Sequence, residues 1–158
     1  MMMTTELETR IQKILDSRDD MPQIIKTILK KEQALAATED ILDVVYLNRS
    51  YADTTKKSGV LSGATLLVAT NYGLIAVEEG KENLSIEAGG YRIRHILYPK
   101  IKCLDFNTCL LIGHLKVSTG EVRDPDLQVE FNTAHYYSDF AALVETIRGK
   151  MIEAAYKL

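Results

Sequence analysis

The chain has no tryptophan, only two cysteines and three prolines in 158 residues, and no excess of positive charge. Each shortage excludes something. Cys103 and Cys109 are too few for a disulfide scaffold, and a structural zinc site would need further ligands close by. Both lie in apolar, strand-like stretches and read as buried free thiols in a reducing compartment. Nineteen Lys and Arg stand against 22 Asp and Glu, a net charge of -3. That balance excludes bulk nucleic-acid binding, which needs a positive field to displace counterions from phosphates. No stretch approaches the roughly 18–20 apolar residues of a membrane span. The opening residues, MMMTTELETR, carry acids early and have no apolar core of signal-peptide length. The expectation is a cytoplasmic protein.

Catalytic and metal signatures are missing as well. His95, His114 and His135 fall in three separate segments without metal-ligand spacing. A Cys103–His114 or Cys109–His95 dyad lacks an orienting third group and an oxyanion donor. Gly89-Gly90 lacks the strand-before, helix-after setting of a phosphate-binding glycine loop. Asp105 and Glu130 form a carboxylate pair only if their strands adjoin. The reading is therefore no enzyme, no cofactor and no metal site, with a small thiol- or metal-dependent enzyme using Cys103, Cys109 and a histidine as the weakest alternative.

What is present is a change of period. Thr5-Glu6-Leu7-Glu8 has capping-box form, and Leu7, Ile11, Ile14 and Leu15 then share one face of a first helix. Asp20-Met21-Pro22-Gln23 restarts the chain. Ile24, Ile25, Ile28, Leu29 and Leu35 make the stripe of a second helix, which alanine-rich QALAA extends, so residues 1–37 read as an N-terminal helical hairpin. From Glu39 the spacing falls to two. Ile41–Leu47 reads as a first strand and Asn48–Gly63 as a long polar loop. Thr65–Thr70 and Leu74–Glu78 form a hairpin about the turn Thr70-Asn71-Tyr72-Gly73.

Further strands follow at Tyr91–Leu97, with Tyr91, Ile93, His95 and Leu97 on one face, and at Ile101–Phe106 and Leu110–Ser118. Leu127–Asn132 alternates most cleanly. A final helix begins at Ser138-Asp139, with Phe140, Leu143, Val144, Ile147 and Met151 as its stripe. Gly149, inside that pattern, suggests a neighbour too close for a side chain. Tyr136-Tyr137 read as aromatics at the junction before the helix. The class is α+β, mainly β, with about seven antiparallel strands. Such strands need closure or face-to-face packing to avoid raw edges.

Over residues 38–158 the chain resembles the bacterial pleckstrin-homology-like (PH-like) domains. The carriers are Glu39-Asp40-Ile41-Leu42, the small lead-in Gly63-Ala64, the hairpin LLVATNYGLIAV, the segment Tyr98-Pro99-Lys100-Ile101 and the helix from Phe140. The resemblance implies a partly open barrel of two antiparallel sheets, capped at one end by the C-terminal helix and non-catalytic. Such domains bind lipids, peptides or each other. The first functional expectation is a binding or assembly module whose partner is another protein or a second copy, because the N-terminal stripes and sheet edges need cover. The alternative is weak anionic-lipid or other anion contact through Arg49, Lys56 and Lys57, in the loop that cradles phosphates in lipid-binding pleckstrin domains.

Overall fold

Thr65–Thr70 and Gly73–Glu79 read TLLVAT and GLIAVEE, apolar at successive positions rather than alternate ones. Strands of that kind have no face left for water. The computed structural model of the chain describes residues 5–16, 21–51, 60–79, 90–120 and 123–157, and it buries both strands on both faces. They are β4 and β5, the middle of a four-stranded antiparallel sheet. Its edges are β1 (Ile41–Leu47) and β6 (Tyr91–Leu97), in the order β1-β4-β5-β6. A three-stranded antiparallel sheet follows from β7 (Cys103–Cys109), β8 (Ile112–Ser118) and β9 (Leu127–Asn132). Within the stretch read as a polar loop, β2 (Ser50–Tyr51) and β3 (Val60–Ser62) form a short ladder of their own. The helices are α1 (Glu6–Asp16), α2 (Gln23–Leu29) and α3 (Thr133–Tyr156).

Two apolar layers result. The inner layer lies between the sheets. Val45, Leu67, Leu74 and Ile96 meet Leu115, Val117, Leu127 and Phe131 there, and α3 closes the layer with Phe140, Leu143 and Ile147. The outer layer covers the other face of the larger sheet. Val44, Leu66, Val68, Ile75 and Val77 pack under Ile24, Ile25, Ile28 and Leu29 of α2, with Leu7, Ile11, Ile14 and Leu15 of α1 at its margin. The N-terminal stripes thus find their cover on the chain's own sheet. Thr5 Oγ1 accepts from Glu8 N at 3.0 Å, the expected start of α1. Arg10 of that helix pairs with the buried Asp43 at 2.8 Å and donates to the Val44 carbonyl, fastening α1 to β1.

The β4–β5 turn is a polar latch. Thr70 Oγ1 donates to Glu39 at 2.6 Å and accepts from Tyr72 N at 3.0 Å. Asn71 accepts from Asp40 N and donates to the Thr38 carbonyl. The Tyr98 hydroxyl donates to the Thr70 carbonyl at 2.6 Å, and burial raises the pKa of that phenol above its ordinary value.

Several expectations are corrected. The second helix does not run through QALAA. Its last turn closes by Lys31 N to Ile28 O and Glu32 N to Thr27 O, with Lys31 at φ 62, the left-handed closure that ends helices. The last helix starts at Thr133, not Ser138, because the Asn132 side chain accepts from Ala134 N at 2.8 Å and caps it there. Tyr136 and Tyr137 are accordingly helical. On β6 the buried residue is Ile96, while Tyr91, His95 and Leu97 are exposed. An edge strand gains less from covering its outer face than its apolar count suggests. Leu110–Leu111 belong to a turn, so β8 begins at Ile112.

Gly149 is exposed and has no atom within 4 Å of where a side chain would begin, so no close neighbour explains it. Gly113 on β8 is the reverse case, with a Cβ position 2.3 Å from the Phe131 ring. Gly149→Ala should therefore raise stability by about 0.5–1 kcal/mol through helix propensity. Gly113→Ala should lower it by about 1–3 kcal/mol through overpacking. Urea midpoints at constant m-value check both.

Candidate functional site

Of the residues expected to hold an anion, Arg49 follows β1 and points back onto the sheet. Its guanidinium grips Glu79 at the end of β5 with two bonds of 2.7 Å, and Glu79 also accepts from Ala64 N at 2.8 Å. Both side chains of the pair are largely buried. Fork-to-carboxylate geometry of this kind fixes position as well as charge. Here it ties the start of the loop after β1 to the far end of the central hairpin. Lys56 and Lys57 lie outside the described residues.

The cysteines are exposed, not buried. The phase of β7 explains this. Leu104 and Phe106 turn toward the inner layer, so Cys103, Asp105, Asn107 and Cys109 share the opposite, uncovered face. Asp105 and Glu130 do not adjoin, because β8 runs between their strands. Glu130 instead lies 3.3 Å from His114 Nε2 across the β8–β9 ladder. Among the described residues no three His, Cys, Asp or Glu converge on a point that could hold a metal ion. No described helix is long and apolar enough to cross a membrane.

Two surfaces stand out among the described residues. The first is a groove of about 750 Å³ along the end of β6, walled by Arg94, His95, Leu97 and Lys100 on one side and by Thr119 and Asp126 on the other. Asp126 accepts from Thr119 N at 2.6 Å and from Thr119 Oγ1 at 2.9 Å, and these bonds hold its carboxyl below the usual carboxylate range. Cations on one wall thus face a fixed anion on the other.

The second is the β7–β8 turn. Leu110 is 93% exposed, Leu111 65% and Ile112 49%. The ladder runs unbroken to Cys109↔Ile112, so the turn is two residues long. Leu110 has φ 53, a conformation glycine or asparagine ordinarily supplies in such a turn. Strain and complete exposure therefore coincide at one leucine. The α3 end nearby is fastened to this turn, since Thr133 donates its amide to the Leu111 carbonyl and its hydroxyl to the Leu110 carbonyl. A file of rings leads from the core toward it: Phe140 on Phe131 at 4.0 Å, Phe131 on Phe106 at 5.8 Å, and Phe106 beside half-exposed Tyr137 at 5.8 Å.

Sequence reasoning missed this surface. A run such as CLLI contains no turn residue and scores as buried strand. The available signal was the even spacing of Cys103 and Cys109, which puts both on one face of whichever strand holds them.

No family model and no curated protein matches the chain. Among solved structures it is similar to a DUF1696 family protein with a pleckstrin-homology domain from Shewanella loihica PV-4. Identity is 17%, the TM-score is 0.50, and the match covers 83% of this chain and 97% of that one. At that identity the likeness speaks to fold. Two antiparallel sheets of four and three strands, open rather than closed into a barrel and capped by a C-terminal helix, make up a PH-like fold.

The Arg49–Glu79 pair generates a direct prediction. Glu79→Ala leaves a buried guanidinium and the Ala64 amide without their carboxylate. It should cost about 3–5 kcal/mol in unfolding free energy, the range for removing one partner of a buried pair. A loss below about 1 kcal/mol would show the pair to be no more than a surface contact.

Proposed function

We propose that this PH-like domain is a non-catalytic module that works by contact with protein. The observation that supports the reading is the leucine-rich β7–β8 turn. A folded chain that covers both faces of its larger sheet leaves three consecutive aliphatic side chains in water, at a residue with unfavourable backbone geometry. Apolar surface kept at such a cost is typical of interaction sites.

The chemistry around the turn favours a protein partner over a lipid surface. The uncovered face of the small sheet beside it carries Asp105 and Glu130 with Lys116 and His114 set between them, a balanced face, whereas a membrane-seeking apolar tip is normally ringed by Lys and Arg. The anion reading through Arg49, Lys56 and Lys57 has less support, because the Arg49 charge is matched by Glu79. The groove along β6 is less suited to a pairing strand, since Arg92 and Arg94 share the inward-facing side of β6 with Ile96, a placement of charge that protects edges.

Sedimentation velocity of the full chain across a concentration series tests the reading. Association should weaken at least tenfold in Leu110→Gly/Leu111→Ser, while the fold becomes no less stable, because glycine relieves the positive φ. Association unchanged by these substitutions would remove the turn as the contact. Co-sedimentation with phosphatidylserine vesicles at low salt, abolished by Lys56→Glu/Lys57→Glu, would put the anion reading in its place.

A further inference from the structure

The uncovered turn continues into a strand edge with which no described strand pairs, and the sequence of that edge is complementary to itself. We infer that β7 pairs antiparallel with β7 of a second copy about a two-fold axis through Phe106, joining two three-stranded sheets into one of six. The inference rests on the protein-contact reading above and names the partner.

The backbone fixes which groups are free. Cys109 and Ile112 close a two-residue turn as a ladder pair, so they exchange both main-chain hydrogen bonds. In an antiparallel ladder this direction alternates. Cys109, Asn107, Asp105 and Cys103 therefore turn their amides and carbonyls toward β8, and Thr108, Phe106 and Leu104 turn theirs away. No described strand takes up those outward groups. β7 is also regular over seven residues, with no bulge, lysine or proline, the usual guards of an edge. β1 carries a register shift beside Asp43 and has Arg10 on the Val44 carbonyl.

The side chains then choose the register. With Phe106 opposite its own copy, Asp105 faces Asn107, a carboxylate against an amide donor, and Leu104 faces Thr108. An axis at Asp105 instead would oppose two carboxylates, which is unfavourable across strands. The Phe106 axis brings the two Phe106–Tyr137 ring pairs together and covers the half-exposed Tyr137. It also runs Leu110 and Leu111 of each copy past Cys103 of the other, alongside Lys102 and Ile101, where the leucines lose water. The C2 arrangement is closed, so it ends at a dimer.

The same register sets Cys103 opposite Cys109 of the second copy, at a non-hydrogen-bonded pair. Cα atoms there are about 4.5 Å apart, inside the roughly 4.4–6.8 Å that a disulfide spans. Within one chain the two thiols are six residues apart along an extended strand, roughly 20 Å, and cannot join. This makes the cysteines a ruler for the interface.

The experiment oxidises full-length protein with diamide, which is reduced as two thiols become one disulfide, and reads products on a non-reducing gel. Wild type should give a covalent dimer. Cys103→Ser alone and Cys109→Ser alone should give none, because each lacks one half of both bridges. The two variants mixed should give a heterodimer, since Cys109 of one meets Cys103 of the other. A cross-link in either variant alone at the yield of the mixture, or none in wild type and mixture, would overturn the register.

A second variant guards against misfolding. Thr108→Pro removes an outward-facing amide with which no described strand pairs, a change that edge strands tolerate. It should leave the far-ultraviolet spectrum intact and abolish the diamide dimer; a dimer that persists would also overturn the inference. Association lost in Leu110→Gly/Leu111→Ser but without the cross-link pattern would retain the turn as a contact and reject β7 pairing. Association insensitive to the turn would reject both.

Discussion

The central hairpin, β4 and β5, has no side that can face water, and the other elements take their places from that. Leu67, Ala69, Leu74 and Ala76 point into the space between the sheets, while Leu66, Val68, Ile75 and Val77 point the other way. An edge-to-edge pair of strands satisfies the backbone but covers neither face. The small sheet and α3 supply one cover, α2 and the margin of α1 the other. At about 25 cal/mol per Å² of apolar surface removed from water, each cover is a first-order contribution to stability rather than an ornament. The polar groups are arranged around this requirement. Thr70, Asn71 and Tyr98 latch the turn at one end of the hairpin, and Arg49 with Glu79 binds the other.

Double coverage also decides where the molecule can meet anything else. With both faces of the large sheet occupied, contacts fall to edges, to the groove beside β6 and to the β7–β8 turn. The rings from Phe140 through Phe131 and Phe106 to Tyr137 extend the core to that last surface. The turn is thus held by packing that runs into the core, and Thr133 fastens it again from the helix.

Much of this was legible in the residues. The bounds of the strands Ile41–Leu47, Thr65–Thr70, Tyr91–Leu97 and Leu127–Asn132 follow from composition and alternation. The stripe of Phe140, Leu143 and Ile147 predicts which face of α3 is buried. The two N-terminal helices and the Thr5 cap are local signals and were readable as such. What escaped depends on distance along the chain. Arg49 and Glu79 are thirty residues apart, and no local pattern pairs them. The close of α2 at Leu29 comes from a left-handed Lys31, at odds with the helical preference of QALAA. The cysteines were assigned to the core because the alternation on β7 states which residues share a face, not which face is covered. Leu110–Ile112 escaped for a related reason. Apolar sequence implies burial only against something, and among the described residues nothing covers this turn.

The central claim is that α2 is an integral cover of the hairpin, so that both open together. Residue-resolved native-state hydrogen exchange, followed against denaturant, tests it most directly. The amides of Ile28 and Leu29 should exchange with the same opening free energy and the same denaturant dependence as those of Leu66–Val77, through one cooperative opening. Exchange of the α2 amides by a local, denaturant-independent opening while the hairpin stays protected would contradict the account.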